Sequence, residues 1–131
     1  MKNTIKVASA ILENKDHKIL CALRSPSMSH PNLWEFPGGK IEEWESIGEA
    51  IVREIKEELL CDIEFIEIFN DNIYEYDDVI VNLIATRCKI INGEPRATEH
   101  SEIKWVSKSD LKNLTWTPAD IKAVDALIET E

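Results

Sequence analysis

The chain has 131 residues, of which 44% are hydrophobic and 31% charged, a balance that excludes wholesale disorder and predicts one folded domain over residues 1–131. Its 25 acidic and 15 basic residues give a net charge of −10 at pH 7. That charge argues against binding to a nucleic-acid polymer or to an anionic membrane. The first apolar stretch, residues 7–12, is too short to span a bilayer and lacks the layout of a secretory signal.

The first half of the chain predicts two strands, a loop and a helix. Residues 5–12 and 18–23 alternate or cluster apolar side chains as strands do, and a polar turn separates them. Residues 25–32 hold two prolines and predict a loop, after which Pro37-Gly38-Gly39 permits a sharp backbone path. Ser46 then begins a helix, because Glu49 three residues later completes a capping box. Its predicted buried stripe consists of Ile51, Ile55 and Leu59.

The second half predicts strands followed by one more helix. Residues 63–69, 73–76 and 79–91 are rich in isoleucine, valine and aromatic side chains, and residues 103–106 form a further short strand. Thr117 and Pro118 mark the start of the last helix, whose predicted core side carries Ile121, Val124, Leu127 and Ile128. Strands and helices alternate without a regular βαβ rhythm, which indicates an α+β fold with a mixed sheet covered by helices.

Three cysteines give the only redox information. Cys21, Cys61 and Cys88 form no CxxC pair, are odd in number and stand mostly among apolar residues. They predict buried, reduced thiols and therefore a cytoplasmic protein.

Three glutamates of the first helix carry the clearest chemical signal. Glu54, Glu57 and Glu58 are spaced i, i+3 and i+4, which places them on one helical face. Three like charges on one face oppose folding unless a cation neutralises them. Because oxygen ligands select hard cations, this face predicts a site for Mg²⁺ or Mn²⁺.

The same glutamates belong to a longer motif. Gly39, Glu45, Arg53-Glu54-Ile55 and Glu57-Glu58 match the Nudix box, G-x5-E-x7-R-E-U-x-E-E-x-G-U, in which U is a bulky aliphatic residue. Leu60 departs from the pattern, because a glycine normally stands there as a left-handed C-cap, and so a different helix end is expected. Residues 33–42, LWEFPGGKIE, and the late TPAD segment resemble MutT-like nucleoside triphosphate pyrophosphohydrolases.

The resemblance implies an α/β/α sandwich and a set of site residues. In that family the box helix holds divalent metal on a substrate diphosphate while water attacks phosphorus. Arg53 is then expected to orient the box carboxylates, and Glu45 to support the helix. The expected metal ligands are the Gly38 carbonyl, Glu54, Glu57, Glu58 and Glu99, the last also a candidate to assist the attacking water.

Four further residues are candidates for substrate binding. Arg24 and Lys40 are expected to contact phosphates. Tyr76 aligns with an aromatic residue of the family's base pocket. Asp120 stands where MutT-like enzymes carry a base-reading asparagine, and cytidine-preferring relatives resemble its Pro-Ala-Asp setting. Asp120 could instead cap the last helix together with Thr117. The three histidines are scattered and are assigned no role.

The resemblance therefore predicts a Mg²⁺-dependent hydrolase that converts a nucleoside triphosphate to the monophosphate and pyrophosphate. Either 8-oxo-dGTP or a cytidine nucleotide (CTP, dCTP or a 5-methylated form) would be the substrate, and Asp120 favours the second. The alternatives are hydrolysis of ADP-ribose or a dinucleoside polyphosphate, and a nucleotide-binding module without catalysis. A monomer and a homodimer are both compatible with the sequence, which leaves the base and sugar open.

Overall fold

Strands are the commonest secondary structure in the computed structural model, which describes residues 2–130. Two short 3-10 helices, Lys108–Asn113 and Pro118–Asp120, precede the last α-helix. The strands and α-helices in chain order are β1 Asn3–Leu12, β2 Lys18–Leu23, β3 Trp34–Glu35, β4 Gly38–Lys40, α1 Ile47–Leu59, β5 Asp62–Glu75, β6 Val79–Asn92, β7 Glu102–Ser107 and α2 Ile121–Glu129.

The strands divide between two sheets. The larger sheet has the order β4-β1-β6-β5 and is mixed, because β1 and β6 run parallel while the other two pairs are antiparallel. The smaller sheet has the order β3-β2-β7 and is wholly antiparallel. The predicted α+β fold with a mixed sheet is confirmed, and the second sheet is an addition that the sequence pattern did not reveal.

The helices lie on opposite faces of the strands, as the side chains of β1 demonstrate. Ala8, Ala10 and Leu12 join one core cluster with the apolar stripe of α1. Ile11, which points the other way, joins a second cluster with α2. Alternation along one strand therefore builds an α/β/α sandwich. The stripe of α1 contributes about 1.5–3 kcal/mol for each buried side chain, and its members are Ile51, Ile55 and Leu59.

Helix α1 begins as predicted but ends differently from the expectation. The Ser46 side chain accepts a hydrogen bond from the Glu49 amide, and Glu49 returns one to the Ser46 amide, so the capping box is confirmed. Leu60 adopts the left-handed conformation, φ 59° and ψ 32°, that a box glycine would supply. The expected different helix end is therefore wrong: the backbone geometry is kept, and a non-glycine residue bears its steric cost.

Strand β5 is continuous, whereas the sequence predicted two separate strands. It pairs with β6 along its whole length, and register shifts near Phe65 and Ile68 absorb the irregularity. The polar stretch that had suggested a break is satisfied within the sheet, because the Asn82 side chain donates to Asp71 with an N···O distance of 2.7 Å. Cross-strand hydrogen bonding thus compensates for poor strand propensity.

The last helix also starts later than predicted. Thr117 makes no side-chain capping bond, and Pro118 belongs to a 3-10 turn that precedes α2. Ile121, predicted in the core, is 45% exposed, while Val124 and Leu127 are buried and Ile128 packs partly against them. A 3-10 turn has three residues per turn and shifts the phase of the helix that follows.

Two further observations concern the cysteines and the lengths of the helices. Cys21, Cys61 and Cys88 are buried and free, and burial raises the pKa of Cys21 to about 12, so this thiol is unreactive. Among residues 2–130, no helix combines the length and apolar character that crossing a bilayer requires.

Candidate active site

The acidic face of α1 is present as predicted, and its members differ in exposure. The side chain of Glu57 is 60% exposed, whereas that of Glu54 is 14% exposed. Glu58 is half-buried, and its Oε1 accepts a hydrogen bond from the Gly38 amide at 3.2 Å. The face therefore runs from solvent at Glu57 to the protein interior at Glu58, while the apolar stripe of the same helix lies in the core.

Arg53 organises these carboxylates. Its Nε and Nη2 donate to the two oxygens of Glu45 at 2.6 and 2.8 Å, a bidentate pair. Its Nη1 donates to Glu54 at 3.0 Å and to Glu57 at 3.2 Å, and Nη2 also donates to the Lys40 carbonyl at 3.1 Å. Arg53 thus joins the helix to β4, and Glu45 anchors Arg53 rather than facing the acidic side chains.

Two glycines make room for this arrangement. A side chain at Gly38 would overlap the Ala8 carbonyl of β1, and a side chain at Gly39 would overlap the Glu54 carboxyl group. These residues form the short strand β4 beside β1, so close approach, and not a sharp turn, requires the pair of glycines. The Glu54 carboxylate consequently lies directly on the backbone of β4.

Burial disfavours negative charge at two of the three glutamates. It raises the pKa of Glu58 to about 8 and also raises the pKa of Glu54, although Arg53 opposes the shift at Glu54. In contrast, the hydrogen bonds from Arg53 lower the pKa of Glu45 to about 2, against the opposing effect of burial. Arg53 therefore favours the anion at Glu45, whereas burial opposes negative charge at Glu54 and Glu58, which a further cation would stabilise.

These residues fit a divalent metal ion held jointly with a substrate. In residues 2–130, no three acidic, histidine or cysteine side chains converge closely enough to enclose a metal by themselves. Mg²⁺ usually takes only one or two protein carboxylates and completes its shell with water and phosphate oxygens. Half-buried carboxylates with raised pKa values, arranged along one open face, suit that partial shell.

The loop that carries Glu99 lies beside the end of α1. The Thr98 hydroxyl donates to the Glu58 carbonyl at 2.8 Å, and the Arg96 amide donates to the Leu59 carbonyl at 2.8 Å. Glu99 follows directly and is exposed. The loop is thus attached to the helix that bears the acidic face, with the Glu99 side chain free toward solvent.

A cavity of about 220 Å³ brings together three of the four predicted substrate residues. Tyr76 and Asp120 line it, together with Arg24 and the β-strand side chain Leu83. The Tyr76 hydroxyl accepts a hydrogen bond from the Ala119 amide at 3.1 Å, which fixes the ring against the segment that carries Asp120. An aromatic face next to a buried carboxyl group is an arrangement that suits a nucleobase.

Asp120 is buried, and its two carboxyl oxygens have one close partner and one distant one. One oxygen accepts from the Thr117 hydroxyl, and the other lies 3.4 Å from the Phe36 amide. Burial raises the pKa of Asp120 to about 7, and the nearby charge of Glu35 adds to the shift. Thr117 therefore donates to Asp120 and makes no capping bond to the backbone, so the capping interpretation of this pair is not what the structure contains.

The two predicted phosphate-binding cations lie in different settings. Arg24 is already occupied: its Nη1 donates to Glu35 at 2.9 Å, and its Nε donates to the Ser29 carbonyl at 2.6 Å. Lys40 is exposed and lines an open groove of about 830 Å³ that also contains Lys6. The smaller cavity is instead lined by Val7 and Leu83, which neighbour each other across β1 and β6.

Three residues of this region escaped the sequence analysis. Glu35 pairs with Arg24, and its second oxygen lies 2.8 Å from His100 Nε2. The His30 ring packs 4.5 Å from the Tyr76 ring, measured between centroids. The scattered histidines gave no signal because no spacing links residues so distant in sequence. Only Glu35 could have been found from the sequence, because it stands within the LWEFPGG segment that resembles the family.

Comparison with known proteins agrees with this geometry. A family model described as NUDIX domain matches residues 3–127. A CTP pyrophosphohydrolase from Escherichia coli (strain K12) is 36% identical over 124 residues, covering 95% of this chain and 91% of the relative. A putative 8-oxo-dGTP diphosphatase 2 from Mycobacterium tuberculosis (strain ATCC 25618 / H37Rv) is 34% identical over 124 residues, covering 92% of this chain and 84% of the relative.

A solved structure gives the same result. The solution NMR structure of a DNA mismatch repair protein MutT (family Nudix hydrolase) from methicillin-resistant Staphylococcus aureus 252 is 44% identical, with a TM-score of 0.79 and 98% of each chain covered. Fold and site together define a hydrolase that acts on phosphoanhydride bonds. The chain belongs to the Nudix family and is a Nudix pyrophosphohydrolase, as its box predicts.

Proposed function

We propose that this chain hydrolyses a cytosine nucleoside triphosphate, CTP or dCTP, to the monophosphate and pyrophosphate, with Mg²⁺ or Mn²⁺ as cofactor. Such an activity removes nucleotides from the cellular pool. The same reaction on 8-oxo-dGTP is the second candidate, supported by the similarity to a protein named as an 8-oxo-dGTP diphosphatase. The three buried, free thiols support a reducing compartment such as the cytoplasm.

The observation that carries the choice of base is Asp120 in the small cavity beside Tyr76. A neutral carboxyl group offers one O–H donor and one carbonyl acceptor. Cytosine presents the complementary pair, the N3 acceptor and the N4 amino donor, whereas guanine presents two adjacent donors that an ionised carboxylate would accept. Because burial raises the pKa of Asp120 to about 7, the neutral form is well populated near neutral pH.

The acidic face supplies the remaining chemistry. Glu54, Glu57 and Glu58, with the Gly38 carbonyl, would hold the divalent metal. Bound there, it would neutralise the diphosphate and lower the pKa of the attacking water. Arg53 holds Glu54 and Glu57 in orientation through its Nη1 hydrogen bonds. Glu99, beside the end of this helix, would complete the metal shell or take a proton from the water.

Lys40 would contact the triphosphate tail from the open groove. Lys40 directly follows Gly39, whose backbone lies against the Glu54 carboxyl group, and Lys6 lines the same groove, so both basic side chains could face phosphates held at the acidic face. These few cations and the metal would offset the repulsion between a protein of net charge −10 and a polyanionic substrate.

A substrate panel with pyrophosphate detection tests the proposal. We expect CTP or dCTP to give the highest kcat/KM, with 8-oxo-dGTP next and ADP-ribose far lower. Omission of divalent metal should abolish turnover of every substrate. Preference for 8-oxo-dGTP would select the second candidate, and negligible turnover of all nucleotides would refute the proposed function.

A further inference from the structure

A chain of side-chain hydrogen bonds runs from the small cavity to His100, in the loop that is bonded to the end of the acidic helix. Arg24, which lines the cavity, donates to Glu35 Oε1 at 2.9 Å. The other oxygen of Glu35 lies 2.8 Å from His100 Nε2. Because Glu35 is the ionised partner of Arg24, Nε2 carries the proton and donates to it. Ser29 holds the far side of the guanidinium through its carbonyl and hydroxyl oxygens.

His100 is buried, and only one of its two ring nitrogens has a hydrogen-bond partner in the described part of the chain. Its side chain is 1% exposed, and its Nδ1 is buried without a hydrogen-bond partner among residues 2–130. A buried ring nitrogen with no partner costs free energy, whereas an apolar side chain of similar size would not. The hydrogen bond to Glu35 is therefore the contact from which a role for this histidine can be argued.

The backbone on either side of His100 connects the two halves of the site. The Thr98 hydroxyl is bonded to the Glu58 carbonyl, and the Ser101 amide donates to the Leu23 carbonyl at 3.0 Å. Leu23 directly precedes Arg24, and Glu99 directly precedes His100. A displacement of His100 would thus be transmitted to the Glu99 loop on one side and to the Glu35–Arg24 pair on the other.

We propose that His100 is a positioning residue that fixes Glu35, and through it Arg24, in the orientation that the bound nucleotide requires. It acts without touching the substrate itself. The Glu35 carboxylate is largely enclosed between Arg24, which is a cation, and His100, which is a hydrogen-bond donor. Loss of either partner would leave the negative charge of Glu35 without full compensation in a largely enclosed place. The inference rests on the proposed function and deepens it. His100 would link the part of the site that binds the nucleoside to the loop that carries Glu99.

Two variants of His100 separate positioning from packing. His100→Leu removes the donor, whereas His100→Gln keeps an N–H within reach of Glu35. With the best substrate of the wild-type panel, we expect His100→Leu to raise KM and the half-saturating Mg²⁺ concentration by about tenfold each, and His100→Gln to stay within about threefold. His17→Gln, at an exposed histidine remote from the cavity lining, serves as the matched control and should match the wild type.

A double-mutant cycle with Glu35→Gln tests whether the chain acts as a unit. If it does, the double variant loses about as much in kcat/KM as the worse single variant, because the second change removes an interaction that is already broken. Multiplicative losses, or equal kinetics for His100→Leu and the wild type, would overturn the inference. Should His100→Leu fail to fold, His100→Ala, which also removes the donor to Glu35, takes its place in the same cycle, and the same two outcomes decide.

These experiments distinguish failure of the proposed function from failure of the role proposed for His100. A wild-type protein that hydrolyses no nucleotide removes the proposed function before any variant is compared. A wild type that is active, together with a fully active and folded His100→Leu variant, removes only the role of His100.

Discussion

Asp120 and the box glutamates illustrate how burial assigns chemistry to single residues. Glu45 and Glu58 belong to the same motif, yet hydrogen bonds from Arg53 lower the pKa of Glu45 while burial raises that of Glu58. A carboxyl group stabilised as an anion anchors its arginine. One that burial destabilises is ready to accept a cation or, as at Asp120, to retain a proton.

Substitution of Glu57 tests the metal role of the acidic face. Glu57 is the most exposed of the three glutamates, so Glu57→Gln should preserve the fold while removing a charged oxygen ligand. We expect kcat/KM to fall by roughly 100-fold or more and the Mg²⁺ requirement to rise. Glu64→Gln, an exposed glutamate on β5, is the matched control and should retain full activity. An unchanged rate in Glu57→Gln would refute the ligand role.

The charge on Asp120 predicts a substrate preference that changes with pH. Below a pKa of about 7 the group is neutral and complements cytosine; above it, the carboxylate complements guanine. The ratio of kcat/KM for CTP to that for 8-oxo-dGTP should therefore fall, by up to about 300-fold, as the pH rises from about 6 to about 8.5.

Asp120→Asn provides the control for this pH dependence. Asparagine offers a fixed donor and acceptor, so its substrate ratio should stay constant over the same range. Titration of the metal-binding carboxylates affects both substrates alike and cancels in the ratio. A ratio that varies equally in the asparagine variant would locate the effect elsewhere.

At the scale of elements, helix α1 combines a capped start, an apolar stripe and an acidic face within 13 residues. The end of the helix lowers the stability of the folded state, because Leu60 takes a left-handed conformation. That conformation costs a residue with a Cβ about 1 kcal/mol. The Leu60 side chain is 54% exposed and so contributes little burial in return. The tight turn it makes leads directly into β5.

Leu60→Gly should therefore stabilise the protein modestly. Relief of the left-handed strain outweighs the greater flexibility of glycine in the unfolded chain, for a net gain below about 1 kcal/mol. Chemical denaturation measures this gain, and Mg²⁺ dependence should stay the same. Leu60→Ala keeps the Cβ and should show no such gain. Equal stability of the glycine and alanine variants would mean that backbone strain is not the cause.

At the scale of the whole molecule, excess negative charge is the dominant feature. A net charge of −10 is combined with an acidic helical face whose buried members resist ionisation. We therefore expect a cation to bind this face in the native state and not in the unfolded chain. Ligand binding of that kind raises the free energy of unfolding by mass action.

Mg²⁺ or Mn²⁺ should accordingly raise the thermal midpoint, and more so together with a non-hydrolysable nucleotide. At a ligand concentration of about 100 times Kd the gain is roughly 2.7 kcal/mol, which corresponds to several degrees for a domain of this size. Sodium chloride at the same ionic strength controls for general screening of charge. Equal shifts with the sodium salt, or none with either divalent ion, would contradict a specific site.

The sequence by itself determined the helix, its capping box, its carboxylate face and the family. These depend on spacing within a few turns, and helical periodicity converts such spacing into shared faces whatever the rest of the chain does. It could not determine the partners of Glu35, since His100 is 65 residues away, or that Asp120 would reach Phe36 across 84. The conformation of Leu60 and the continuity of β5 were also decided only by tertiary structure. Packing and cross-strand pairing there outweigh local propensity, because they act on groups that no short-range pattern relates.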